Sequence, residues 1–142
     1  MTLLVATCAS APAGTTRSGV VEKTPSGVVE KTPSAVSVVL AIGASKRVPD
    51  TNLTVKFEAV VADSRCPTGT TCVWAGDTAV KIQMTAPKTT PASAVLHTNL
   101  RTAPPVVHDG WRIKLIGVTP APTADGPPRP EDYRITLLID RQ

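Results

Sequence analysis

Leu53-Thr54-Val55-Lys56-Phe57-Glu58-Ala59-Val60-Val61 largely alternates apolar and polar side chains. The turn-rich run Asp63-Ser64-Arg65-Cys66-Pro67-Thr68-Gly69-Thr70-Thr71-Cys72-Val73-Trp74-Ala75-Gly76-Asp77 follows, and Val80-Lys81-Ile82-Gln83-Met84 alternates again. A period of two belongs to a strand with one face in a core and the other in water. The stretch therefore reads as strand, connection, strand, with Leu53, Val55, Phe57, Ala59 and Val61 inward and Thr54, Lys56 and Glu58 outward. Cys66 and Cys72 lie inside the connection with five residues between them, which speaks for a disulfide that pins it. Closing so short a loop contributes on the order of 2 kcal/mol in the chain-entropy description. It also fixes the shape of Pro67-Thr68-Gly69-Thr70-Thr71.

The same period appears on both sides of this stretch. Val36, Val38, Leu40 and Ile42 alternate with Ser37, Val39, Ala41 and Gly43. Trp111, Ile113 and Leu115 alternate with Arg112 and Lys114, and Tyr133, Ile135, Leu137 and Ile139 with Arg134, Thr136, Leu138 and Asp140. Val95 to Leu100 is a shorter candidate. Pro-rich separators at Val48 to Asn52, Ala86 to Pro91, Ala103 to Pro105 and Pro120 to Pro130 read as turns and loops. No window carries a helical stripe. Six or seven short strands rich in Val, Ile and Thr predict an all-β domain over residues 34–142, an immunoglobulin-like β-sandwich with a small β-barrel as the alternative. Roughly 110 residues suit one domain with one core. Its aromatic side chains are Phe57, Trp74, Trp111 and Tyr133, so that core rests mainly on Val, Leu and Ile.

The first 33 residues differ in kind. Leu4-Val5-Ala6-Thr7-Cys8 resembles the lipobox of bacterial lipoproteins, whose cysteine becomes the lipidated N-terminus, so Cys8 is the candidate lipidation site and residues 1–8 a candidate truncated signal. Thr7 replaces the usual small residue and the apolar run is short, which places the true start upstream of Met1 as an open alternative. Ser18-Gly-Val-Val-Glu-Lys-Thr-Pro25 then recurs without change as Ser26 to Pro33. Such a unit is too short to fold alone, and residues 9–33 read as a tether, with edge-strand addition by the Val pairs as the alternative.

Around the cysteines, Asp63-Ser64-Arg65-Cys66-Pro67 and Cys72-Val73-Trp74-Ala75-Gly76-Asp77, followed by an alternating strand, resemble a motif of uncharacterised secreted bacterial proteins and lipoproteins. Gly110 to Leu115 and Asp132 to Leu137 resemble the rest of that pattern. The resemblance implies an exported β-rich domain with a disulfide. It carries no activity, so it transfers no catalytic residue.

Residue by residue, the motif offers structural and binding roles. Two cysteines with His97 and His108 form a chemically sound zinc set, but the five-residue spacing and an exported context favour oxidation over metal. Arg65 and Asp63 are expected to pair with Asp77 or with each other. Trp74 is expected to pack over the disulfide or at the sheet edge, with exposure as a binding anchor the alternative. The candidate binding patch is Arg65, Pro67, Thr68 and Trp74; no cofactor and no metal are expected.

Catalytic signatures are absent from the sequence. His108-Asp109 is a loop pair, and no Gly-x-Ser-x-Gly elbow, His-Glu-x-x-His helix or phosphate-cradling glycine loop occurs. Asp125, Glu131 and Asp132 lack the spacing of a dedicated calcium loop. The formal net charge of +4 is scattered over the strands without interleaved aromatics, which excludes a nucleic-acid stripe. The expectation is a non-enzymatic envelope module, exported or lipid-anchored, that binds a protein, glycan or surface polymer through the disulfide loop. A protease inhibitor presenting that loop and a purely structural envelope protein are the alternatives.

Overall fold

A computed structural model describes residues 35–142. Cys8, the candidate signal and the duplicated octapeptide lie outside the described residues. Eight strands follow in order: β1 (Val36–Ala41), β2 (Ser45–Arg47), β3 (Thr54–Asp63), β4 (Thr78–Thr85), β5 (Ala92–His97), β6 (Val106–His108), β7 (Trp111–Thr119) and β8 (Arg134–Arg141). They form two four-stranded antiparallel sheets, β2-β3-β4-β5 and β1-β8-β7-β6, packed as a β-sandwich. The expected sandwich is therefore present. Each sheet is a run of successive neighbours, with β1 returning against β8, and the chain changes sheet between β1 and β2 and between β5 and β6. This wiring is simpler than the Greek-key crossings of immunoglobulin domains.

Alternation explains which faces meet. Val55, Phe57, Ile82, Met84, Ile113, Ile135, Leu137 and Ile139 are all but inaccessible and fill the space between the sheets, with Tyr133 the one other ring in the buried cluster. The period of two holds throughout β8 and the apolar half of β4. In β3 it breaks: a register shift between Phe57 and Ala59 turns Val60 toward the core and leaves Val61 58 % exposed. A bulge adds one residue to one strand and so exchanges the faces beyond it. β3 shifts again between Val60 and Ala62, and a shift between Leu115 and Gly117 leaves Ile116 exposed on β7. The weak candidate at Val95 to Leu100 is displaced: β5 ends at His97, and Leu100 lies exposed in the following loop. The three-residue edge strands β2 and β6 are too short to show a period, and they raise the count from the expected six or seven to eight.

The two ends of the sandwich differ. At one end β1 begins and β8 finishes, beside the tight β2–β3, β4–β5 and β6–β7 turns. The other end collects the longer connections, residues 64–77, 98–105 and 120–133. Loops at one end of a rigid sandwich are free to carry recognition while the sheets carry stability.

Candidate functional site

Asp63, the last residue of β3, organises the loop-bearing end. Its carboxylate accepts two hydrogen bonds from the Arg65 guanidinium, at 2.8 and 2.7 Å, and one from the Tyr133 hydroxyl at 2.9 Å. The Arg65 backbone N–H and the Thr78 hydroxyl donate to Oδ1. Arg65 in turn donates to the carbonyls of Val118 and Pro120 across the sandwich. One ion pair thus ties β3 and β4 of one sheet to β7 and the start of β8 in the other. The pair is nearly dry, with side-chain exposures of 5 % for Asp63 and 16 % for Arg65. Burial opposes ionisation of Asp63, but the hydrogen bonds from Arg65 and Tyr133 and the arginine charge outweigh it and bring the carboxyl down from 3.8 to about 2. The hydrogen bond to Asp63 likewise raises the Arg65 pKa against its burial. Burial and the neighbouring Asp63 raise that of Tyr133.

Asp77, at the far end of the same connection, has different partners from the ones weighed for it. Its Oδ1 accepts from the Thr98 hydroxyl and the Asn99 backbone N–H, both at 2.9 Å, and its Oδ2 meets His97 Nδ1. Burial pushes its pKa up, but the hydrogen bonds from His97, Asn99 and Thr98 outweigh that and leave it lowered. Asp77 therefore holds the 98–102 loop against the mouth of β4. An acid that orients an imidazole is also the first half of a catalytic triad. Among the described residues, however, no hydroxyl or thiol is hydrogen-bonded to the other nitrogen of His97, and the pair serves as a brace.

Between these two anchors the chain forms an arm. Ser64 N–H donates to the Asp77 carbonyl and Cys66 N–H to that of Ala75, which closes the base of the arm as a ladder. Gly76 sits in the crossing: its φ is +74°, and a Cβ there would lie 1.9 Å from the Ser64 carbonyl oxygen. Only glycine permits that approach. Cys66 and Cys72 are disulfide-bonded, as expected. Thr68 docks on the 120–126 loop, its N–H and hydroxyl both donating to the Pro122 carbonyl, and the Pro67 carbonyl accepts from Thr70.

The four residues of the candidate patch are thus divided. Arg65 is clamped, Pro67 is half-buried in a turn, and Thr68 is spent on Pro122. Trp74 is the large apolar side chain of the four presented to solvent, 80 % exposed beside a fully exposed Val73, so it does not pack over the disulfide or the sheet edge. The arm lifts it off both, because the ladder ends at the Ala75 carbonyl and leaves residues 73 and 74 beyond it. Trp74 and Arg65 line one open groove of about 770 Å³, whose other wall is Asn99, Arg101 and Thr102 of the β5–β6 loop. Sequence reading missed those three, since no local pattern links them to Trp74. His97 and His108 stand at opposite ends of the sandwich, His108 against Thr89, and the zinc set is not assembled.

Comparison with family models, with curated proteins and with solved structures finds no match. The disulfide fits an oxidising compartment, and no helix among the described residues is long and apolar enough to cross a membrane.

Proposed function

We propose that this chain is a non-enzymatic, exported binding module, lipid-anchored through Cys8, that engages a protein, glycan or surface polymer of the bacterial envelope with the Trp74 end of its sandwich. The observation that carries the reading is an 80 % exposed Trp on an arm whose base is held by the disulfide, the Asp63–Arg65 pair and the Asp77 brace. Burial normally claims a tryptophan, and a rigidly mounted exposed one makes an efficient anchor because little freedom is lost on binding.

A purely structural role also has an observation in its favour, because Arg65, Thr68 and the disulfide all join connections to one another. The inhibitor reading is the least favoured, since the Arg65 guanidinium is engaged by Asp63 and two carbonyls and is not offered to a protease pocket. Trp74→Ala separates the first two. Binding predicts a stability change below about 0.5 kcal/mol, as for an exposed surface residue, with loss of the partner that the oxidised protein captures from envelope fractions. A loss of stability above about 1 kcal/mol with capture unchanged would return Trp74 to a structural role.

A further inference from the structure

The groove beside Trp74 has two chemically different walls, and its unused groups are of one kind. Ser64 Oγ exchanges hydrogen bonds with the Asp77 backbone, the Thr98 hydroxyl bridges Asp77 and Thr78, and both Asp77 oxygens are occupied. What remains is on the loop wall. Asn99 uses its Oδ1 for the Arg101 N–H and keeps its amide NH₂ free, and neither Arg101 nor Thr102 has a side-chain hydrogen bond among the described residues. Arg101 is in no ion pair there either. The opposite wall offers the Trp74 ring. A ligand that satisfies both walls needs an apolar C–H face for the indole and an array of oxygen acceptors, one of them anionic, for Asn99, Thr102 and Arg101.

We propose that this groove binds an acidic oligosaccharide, with one sugar ring stacked on Trp74 and its carboxylate held by Arg101. This rests on the binding-module reading and narrows its partner to one class. A sugar ring carries axial C–H bonds on one face and oxygens around its rim, which matches the division between the walls. The volume is within the roughly 300–1,000 Å³ typical of small-ligand sites. A nucleic acid fits less well, because one uncompensated guanidinium does not track a phosphate backbone. A charged guanidinium and a carboxylate form the strong, planar pair that arginine favours.

The test uses the oxidised full chain and two probes, oligogalacturonate and the same oligomer with its carboxyls methyl-esterified, read by Trp fluorescence and calorimetry, with peptidoglycan glycan strands as a second acidic ligand. Saturable binding of an acidic glycan is expected, about tenfold or more weaker for the ester and for Arg101→Gln, the size of one lost charge-assisted contact. Trp74→Ala removes it, and Trp74→Phe restores part of it; neither exposed substitution alters the fold. Equal binding of acid and ester, insensitivity to Arg101→Gln, or no saturable binding of either acidic glycan overturns the proposal. If a protein is captured from envelope fractions through Trp74 while the glycans fail, the glycan assignment falls and the binding-module reading stands.

Discussion

Replacing Asp63 by Asn keeps the shape of the side chain and removes the charge on which the loop-bearing end is built. A carboxyl held near 2 in the folded protein and at 3.8 when free stabilises the fold by about 2 kcal/mol once ionised, at about 1.36 kcal/mol per pH unit. The substitution also leaves the Arg65 guanidinium, 16 % exposed, with two carbonyls and no counter-charge. Loss of one partner of a largely buried pair costs more than the pair contributes, so a total of about 3 kcal/mol is expected, or about 10–15 °C in Tm for a domain of this size. The pH dependence gives the sharper check. The folded pKa is depressed, so the Asp63 contribution is fully present above 3.8 and is lost as pH falls through about 2. Urea titrations of the wild type and Asp63→Asn at intervals from pH 6 to pH 2 will show a stability gap that closes by most of its charge-dependent part between pH 4 and pH 2. A gap under about 1 kcal/mol at pH 6, or one that does not change on acidification, would refute the assignment of Asp63 as the organising charge.

Three further outcomes follow from the same geometry. Gly76→Ala will destabilise by at least about 2 kcal/mol more than Gly69→Ala, since both have positive φ but only Gly76 has a carbonyl in the way of a Cβ; equal losses in paired urea titrations would remove the close approach as the cause. Changing Cys66 and Cys72 together to Ser will cost about 2 kcal/mol and raise the susceptibility of the arm to proteolysis; Tm and peptide mapping measure both. Phe57→Ala, at the centre of the sandwich with no accessible surface, will cost about 3–5 kcal/mol. Chemical denaturation checks it, and a loss below about 2 kcal/mol would mean that the sheets close over the gap.

What was legible in the sequence is what depends on near neighbours along the chain. Alternation at Val80 to Met84 and at Tyr133 to Ile139 named the inward side chains because a strand's two faces are set by the pleat alone. Turn residues marked the separators for an equally local reason. The cysteine spacing named a disulfide, and two acids and an arginine in one connection pointed to an ion pair there. The sequence also showed that Trp74 belonged to a braced segment.

Tertiary structure decided the rest, because it depends on what lies opposite. The β3 bulge that exchanges Val60 for Val61 answers to the register of β4, and β2 and β6 exist only as edges to longer strands. Asp63 chose Arg65 and Tyr133, 70 residues apart in sequence from the latter, while Asp77 chose His97, Thr98 and Asn99; the Asp63–Tyr133 contact was made by the meeting of two sheets at one end, and the Asp77 contacts by the pairing of β4 with β5 within one sheet. The exposure of Trp74 follows from the end of the ladder at the Ala75 carbonyl, and its neighbours Asn99, Arg101 and Thr102 arrive on a different loop. Periodicity reports which face a residue takes, since that is a property of the backbone; it is silent on which loops share an end of the sandwich, since that is a property of the wiring.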